Sequence, residues 1–124
     1  MLDRLLGNYL VDQGMLTKMQ LAEVYKRQDA GRAKLGVIAV AEKLMTIAQA
    51  EQVNTLQSSM DKRFGDIAIE RGYLNEAQVS RLLELQGNNY LIFLQSIVDL
   101  GFLTMERLEA AEEEYQKLHG FTES

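Results

Sequence analysis

The feature that most constrains this chain is an internal repeat. Four 24-residue segments, 5–28, 34–57, 63–86 and 92–115, align without a gap, and five residues separate each from the next. Self-similarity at a fixed 29-residue period is the mark of one supersecondary unit used four times. The second column holds Leu6, Leu35, Phe64 and Phe93; the third holds Gly7, Gly36, Gly65 and then Leu94. Columns six and seven hold Leu10-Val11, Ala39-Val40, Ala68-Ile69 and Ile97-Val98. Apolar residues at these spacings share one helical face.

The tenth column reads Gly14, Lys43, Gly72 and Gly101. Glycine there suits a left-handed residue that closes a helix. Lys43 lacks that freedom, so the second unit is expected to turn differently or at some cost. Three residues further on come Thr17, Thr46, Asn75 and Thr104, all good helix N-caps. Gln20 and Gln49 complete capping boxes with the first two, Gln78 holds the same place after Asn75, and Arg107 replaces the glutamine in the fourth unit. A second amphipathic stretch then runs through Leu21, Ala50, Val79 and Leu108, with Val24, Val53, Leu82 and Ala111 one turn on. Each unit therefore reads as a helix of roughly ten residues, a tight turn and a helix of roughly twelve. One unit cannot bury its stripe alone. The pattern predicts an all-α fold, tandem helix–turn–helix repeats packed as a compact bundle or short solenoid, in a single domain over 1–124. The large apolar residues before each cap (Met15-Leu16, Leu44-Met45, Tyr73-Leu74, Phe102-Leu103) read as core and not as a ligand box.

Composition agrees with a packed helical chain. There is no proline to interrupt a helix, and 47% apolar with 25% charged residues is ordinary for a globular protein. The absence of cysteine removes disulfides, thiolate metal ligands and thiol nucleophiles. No signal peptide is visible at Met1-Leu2-Asp3-Arg4, and a cytoplasmic location is expected. The longest apolar stretch, Tyr90 to Leu103, is broken by Gln95, Ser96 and Asp99. It is too short for a membrane span and reads as a buried helix or an interface.

The net charge of −5 is uneven: residues 1–62 carry 8 basic and 7 acidic side chains, and residues 63–124 carry 5 and 11. Glu106, Glu109, Glu112, Glu113 and Glu114 supply much of the acid. Such a run is a solvated helix face or a docking site for a basic partner. No basic stripe favours nucleic acid.

The inventory for catalysis is poor, and the chain reads as a non-enzyme. His119 is the sole histidine and sits beside Gly120, where it reads as a helix-terminal residue. Consecutive Glu112, Glu113 and Glu114 point in different directions around a helix, so they neither pair nor chelate. No metal or cofactor is expected. The more informative residues are glycines inside helices. Gly7, Gly36 and Gly65 cost about 1 kcal/mol each against alanine. They serve either close helix packing or the approach of a ligand to the backbone. Gln28, Gln57 and Gln86 close the same three units and offer a donor and an acceptor each.

These columns, basic residue, Leu, Gly, an apolar pair, Gly, Leu-Thr, Gln-Leu and a closing Gln, resemble the N-terminal domain of type II secretion and type IV pilus assembly ATPases (the MshE/GspE-type N-domain). The best stretch is LGNYLVDQGMLTKMQL, Leu6 to Leu21, and the five-residue spacer matches as well. Members that bind cyclic di-GMP use two tandem copies. The resemblance implies a ligand site at Lys34, Leu35, Gly36 and Gln57 of the second unit and Arg63, Phe64, Gly65 and Gln86 of the third, with Leu6, Gly7 and Gln28 in the first. Arginine suits guanine or phosphate, and an aromatic ring can stack. This chain departs from the pattern at Leu5 and Lys34, where the family has arginine, and at Ile92, Leu94 and Tyr115 in the fourth unit. No ATPase module is expected within these 124 residues.

Two functions are therefore expected of such a chain. One is a regulatory module that senses cyclic di-GMP and relays to a protein of a secretion, pilus or signalling system. The other is a ligand-free interaction module that docks a partner, or a second copy, through the apolar fourth unit (Tyr90, Ile92, Phe93, Ile97) or the acidic last helix.

Overall fold

A computed structural model describes residues 2–29 and 31–119. Within them the chain is all-helical: α1 Leu2–Asp12, α2 Lys18–Gln28, α3 Leu35–Ala41, α4 Ile47–Met60, α5 Phe64–Glu70, α6 Glu76–Glu84, α7 Asn89–Asp99 and α8 Met105–His119, with a 3₁₀ turn at Leu85–Gly87. His119 ends α8; its side chain and Gly120 lie outside the described residues.

The turn inside each helix pair is the same object at four places. The Met15 N–H donates to the Leu10 carbonyl at 2.9 Å while the Gly14 N–H donates to Val11 at 3.0 Å. Leu44 and Lys43 repeat this pattern on Ala39 and Val40, Tyr73 and Gly72 on Ala68 and Ile69, and Phe102 and Gly101 on Ile97 and Val98. This paired closure satisfies carbonyls that a helix end would leave without partners, and it needs a left-handed residue. Gly14, Gly72 and Gly101 have φ of 74°, 77° and 75°. Lys43 adopts 62°. The second unit thus keeps the common turn and bears the steric cost of a Cβ in the left-handed region. Its side chain reaches α8, with Nζ 3.5 Å from Glu109 and 3.4 Å from Glu113.

Capping sets the other end. Thr17, Thr46 and Asn75 each accept from the backbone N–H three residues on, and Gln20, Gln49 and Gln78 reach back, giving three capping boxes. Thr104 accepts from the Arg107 N–H at 3.2 Å, and arginine has no acceptor with which to return the bond. The first helices are unequal. Lys34 and Arg63 are extended N-caps, so α3 and α5 have only seven residues, shorter than the spacing predicts. Leu5 and Ile92, in the same column, lie inside the longer α1 and α7.

Packing follows burial. In α7, Leu91, Ile92, Phe93, Leu94 and Ile97 are all buried, Phe93 and Ile97 completely. This helix lies against α1, α2 and α3, while α8 lies against α1. On the other side α3 meets α4, α5 and α6, and α4 meets α5. The first and fourth units form one group, the second and third another, and α3 against α7 joins them. The arrangement corrects one expectation. Ile92, Phe93 and Ile97 are core residues, so they present no surface for a partner or a second copy. Burying each is worth about 1.5–3 kcal/mol, which is why the most apolar helix becomes the centre.

Candidate ligand site

The three glycines lie at helix contacts, and each faces a neighbouring side chain. A Cβ on Gly7 would stand 2.6 Å from the Tyr25 hydroxyl and 2.9 Å from Leu21 Cδ1. Tyr25 is itself held: the Arg4 guanidinium lies 3.8 Å from its ring centroid, and the ring stacks on Phe93 at 5.8 Å. Beside Gly36 the Phe64 ring comes within 3.3 Å of where a Cβ would be. Beside Gly65, Val79 Cγ1 would be 2.8 Å away. The first and third glycines therefore admit the second helix of their own pair, and Gly36 admits the aromatic ring of the next pair. Phe64 is 7% exposed and spends its face on this contact.

The closing glutamines have divergent environments. Gln28 Nε2 donates to Asp3 at 2.9 Å and to the Asn89 carbonyl at 2.8 Å, tying α1 and α2 to the start of α7. Burial raises the Asp3 carboxyl's pKa, but the hydrogen bonds it accepts, the Gln28 amide among them, outweigh this and hold it at about 2. Gln86 Nε2 donates to the Ala33 carbonyl at 3.1 Å, and its Oε1 accepts from Arg32 at 3.1 Å. Gln57 lies exposed on α4. The basic residues are open too. Lys34 is exposed at the head of α3, where its backbone N–H donates to Gln95 Oε1 at 2.9 Å. The Arg63 side chain is 93% exposed, with Nε 3.6 Å from Asp66. Leu35 is half-buried and Leu6 fully buried.

The structure thus brings Gly36 against Phe64, and places Gln86 on the segment that leads into Lys34. It gives Gln28 and Gly7 to the first-unit side of the molecule. Sequence reasoning passed over Asp3, Arg32 and Gln95 as partners of these residues. Only Gln95 carried a signal, as an amide within an apolar run. A second polar pair is equally unannounced: the Tyr90 hydroxyl donates to Glu112 at 2.5 Å, and burial pushes both groups' pKa values upward.

Among the described residues no cluster of three potential metal-ligating side chains occurs, and no helix is long and apolar enough to cross a membrane. Comparison with protein-family models, curated proteins and solved structures finds no match.

Proposed function

We propose that this chain is a non-enzymatic helical module that relays to a protein partner and needs no nucleotide to hold its shape. One observation carries the reading: the space beside each signature glycine is filled by the chain's own Tyr25, Phe64 or Val79. A glycine that cleared room for a ligand would face a void or a cleft. The docking face we assign to the partner is the acidic one. Glu106, Glu113 and Glu114 are exposed along α8, which suits a basic docking segment through charge steering and short ion pairs. Reversing those three glutamates to lysine should abolish co-purification of the partner from the native cell while leaving the helical circular dichroism intact. Equal recovery with the reversed surface would refute this docking face.

Cyclic di-GMP sensing stands as a second reading, favoured by the exposure of Lys34, Gln57 and Arg63. It would use the cations and one amide of the expected set, with Phe64 displaced from Gly36 to stack on a base. Calorimetric titration separates the two readings. The docking reading expects no saturable heat at high micromolar cyclic di-GMP. Saturable binding that weakens in Arg63→Ala would overturn it in favour of the nucleotide.

A further inference from the structure

A different part of the molecule has the makings of a small-ligand site. Between the end of α2, Gly31 and Arg32 on one side and the flank of α7 on the other lies a cleft of about 290 Å³, lined by Arg27, Gly31, Arg32, Gln95, Ser96 and Asp99. None of these is a residue that the family resemblance singles out. We propose that this cleft binds a small phosphate-bearing ligand with hydroxyl groups, of sugar-phosphate size.

Polar residues interrupt the apolar run of α7. Gln95 is 4% exposed and Ser96 2%, in the helix that forms the centre of the core. Burying an amide and a hydroxyl costs free energy unless every bond is made. Here they are made, and they fix the cleft wall. Gln95 accepts from the Lys34 N–H and donates from Nε2 to Asp99 Oδ1 at 2.8 Å. Gln95 thereby locks α3 to α7 and aims the Asp99 carboxylate. The Ser96 hydroxyl donates to the Ile92 carbonyl at 2.8 Å and is satisfied within α7.

The cations stand on the opposite side. Arg27, at the end of α2, comes within 3.5 Å of Asp99, and half of its side chain is exposed. A long, wet pair of this kind contributes little and exchanges readily for a better acceptor. Arg32 is anchored through one Nη2 bond to Gln86, which leaves most of its five donors for another partner. Two guanidinium forks against one carboxylate leave a net positive cleft, the chemistry that binds a phosphate bidentately. The Asp99 carboxylate, a quarter exposed, is an acceptor, and a phosphate dianion offers it nothing; a hydroxyl on the same ligand would. Gly31 lies against the wall, where a Cβ would meet the Arg27 carbonyl at 3.2 Å and Ile92 Cγ2 at 3.3 Å. The volume is at the small end for ligand sites, which suits a single sugar phosphate and not a dinucleotide.

The test is a ¹H–¹⁵N NMR titration of the full chain with ribose 5-phosphate, inorganic phosphate and ribose, at ionic strength matched with chloride. Both phosphate probes should give saturable shifts at Gly31, Arg32 and the Gln95 side-chain amide. Ribose 5-phosphate should bind more tightly, and Asp99→Asn should remove that preference. Arg27→Gln and Arg32→Gln should each weaken binding about tenfold or more, the loss of a charge-assisted bond, with an unchanged thermal midpoint because both side chains are exposed. Equal shifts with chloride alone, unaltered affinity in Arg27→Gln and Arg32→Gln, or shifts centred on Arg63 and Gln57 would each overturn the proposal. The outcome is independent of the docking test, which reads α8.

Discussion

Replacing Gly65 with alanine decides, by the sign of its effect, why these units keep a glycine in their first helix. On an open helix face alanine is more stable than glycine by about 1 kcal/mol, and somewhat less near a helix N-terminus; Gly65 is the second residue of α5. If the position existed only to admit a ligand, the unliganded variant would gain part of that stability. The geometry forecasts the opposite. The new Cβ would lie 2.8 Å from Val79 Cγ1, inside the closest approach of two carbons. Valine is stiff about χ1 and cannot withdraw that methyl without rotating into a poorer well. Overpacking of this kind costs about 1–3 kcal/mol, so Gly65→Ala should be net destabilising by about 1–2 kcal/mol. Val79→Ala removes the obstructing methyl groups. In the double variant the two losses should therefore add to less than their sum, with a coupling of about 1 kcal/mol. Urea denaturation followed by circular dichroism at 222 nm gives all four corners of the cycle. A Gly65→Ala protein as stable as the parent, or a cycle with no coupling, would refute the packing account and reopen the ligand account.

The remaining predictions concern the strained turn and the titrating groups. Lys43→Gly relieves a left-handed Cβ worth about 1–2 kcal/mol and gives up two exposed ion pairs worth about 0–1 kcal/mol together plus some unfolded-state entropy. It should raise the thermal midpoint slightly, and more so at high salt, where the pairs to Glu109 and Glu113 are already screened. The pH profile should fall on both sides. Asp3, with its pKa depressed to about 2 from 3.8, contributes stability above pH 4 that disappears as pH drops toward 2. Glu112 is raised, chiefly by burial, and so contributes stability at acidic pH that is lost as pH rises through its folded value. Glu112→Gln should flatten the higher-pH limb of a denaturation-midpoint profile, above the ordinary glutamate range, and Asp3→Asn the acid limb; a variant that leaves its limb unchanged would dismiss that group as the cause.

Much of the fold was legible because it is local. The turn glycines, the caps at Thr17, Thr46 and Asn75 and the paired apolar columns act within a few residues of themselves: α2, α4 and α6 begin just after these caps, and α1, α5 and α7 end just before these glycines. The order of packing was not legible. Nothing in a 29-residue period says that the fourth unit turns back to cover the first, because that choice depends on how much apolar area α7 buries against each neighbour. Lys43 shows the same limit within a single turn. The sequence marks it as the odd residue, but its resolution, keeping the turn and placing the amine near α8, depends on a helix 66 and 70 residues away.

The glutamine column shows the same for the site. Gln28, Gln57 and Gln86 occupy one column of the sequence and look interchangeable as recognition groups. In the fold Gln28 binds Asp3 and the Asn89 carbonyl, Gln86 binds Ala33 and Arg32, and Gln57 faces solvent. The difference comes from the neighbours that packing brings to the end of each unit. The end of α2 lies beside the start of α7, and the turn after α6 lies beside the segment entering α3. Gln57 on α4 has neither of these backbones beside it. An amide is used internally where another backbone comes within about 3 Å, and stays open where none does. A column can therefore preserve a residue type while the residue's work changes from one copy to the next. For this chain the sequence marks which groups are able to bind, and only the packing tells which of them are already bound to the chain itself.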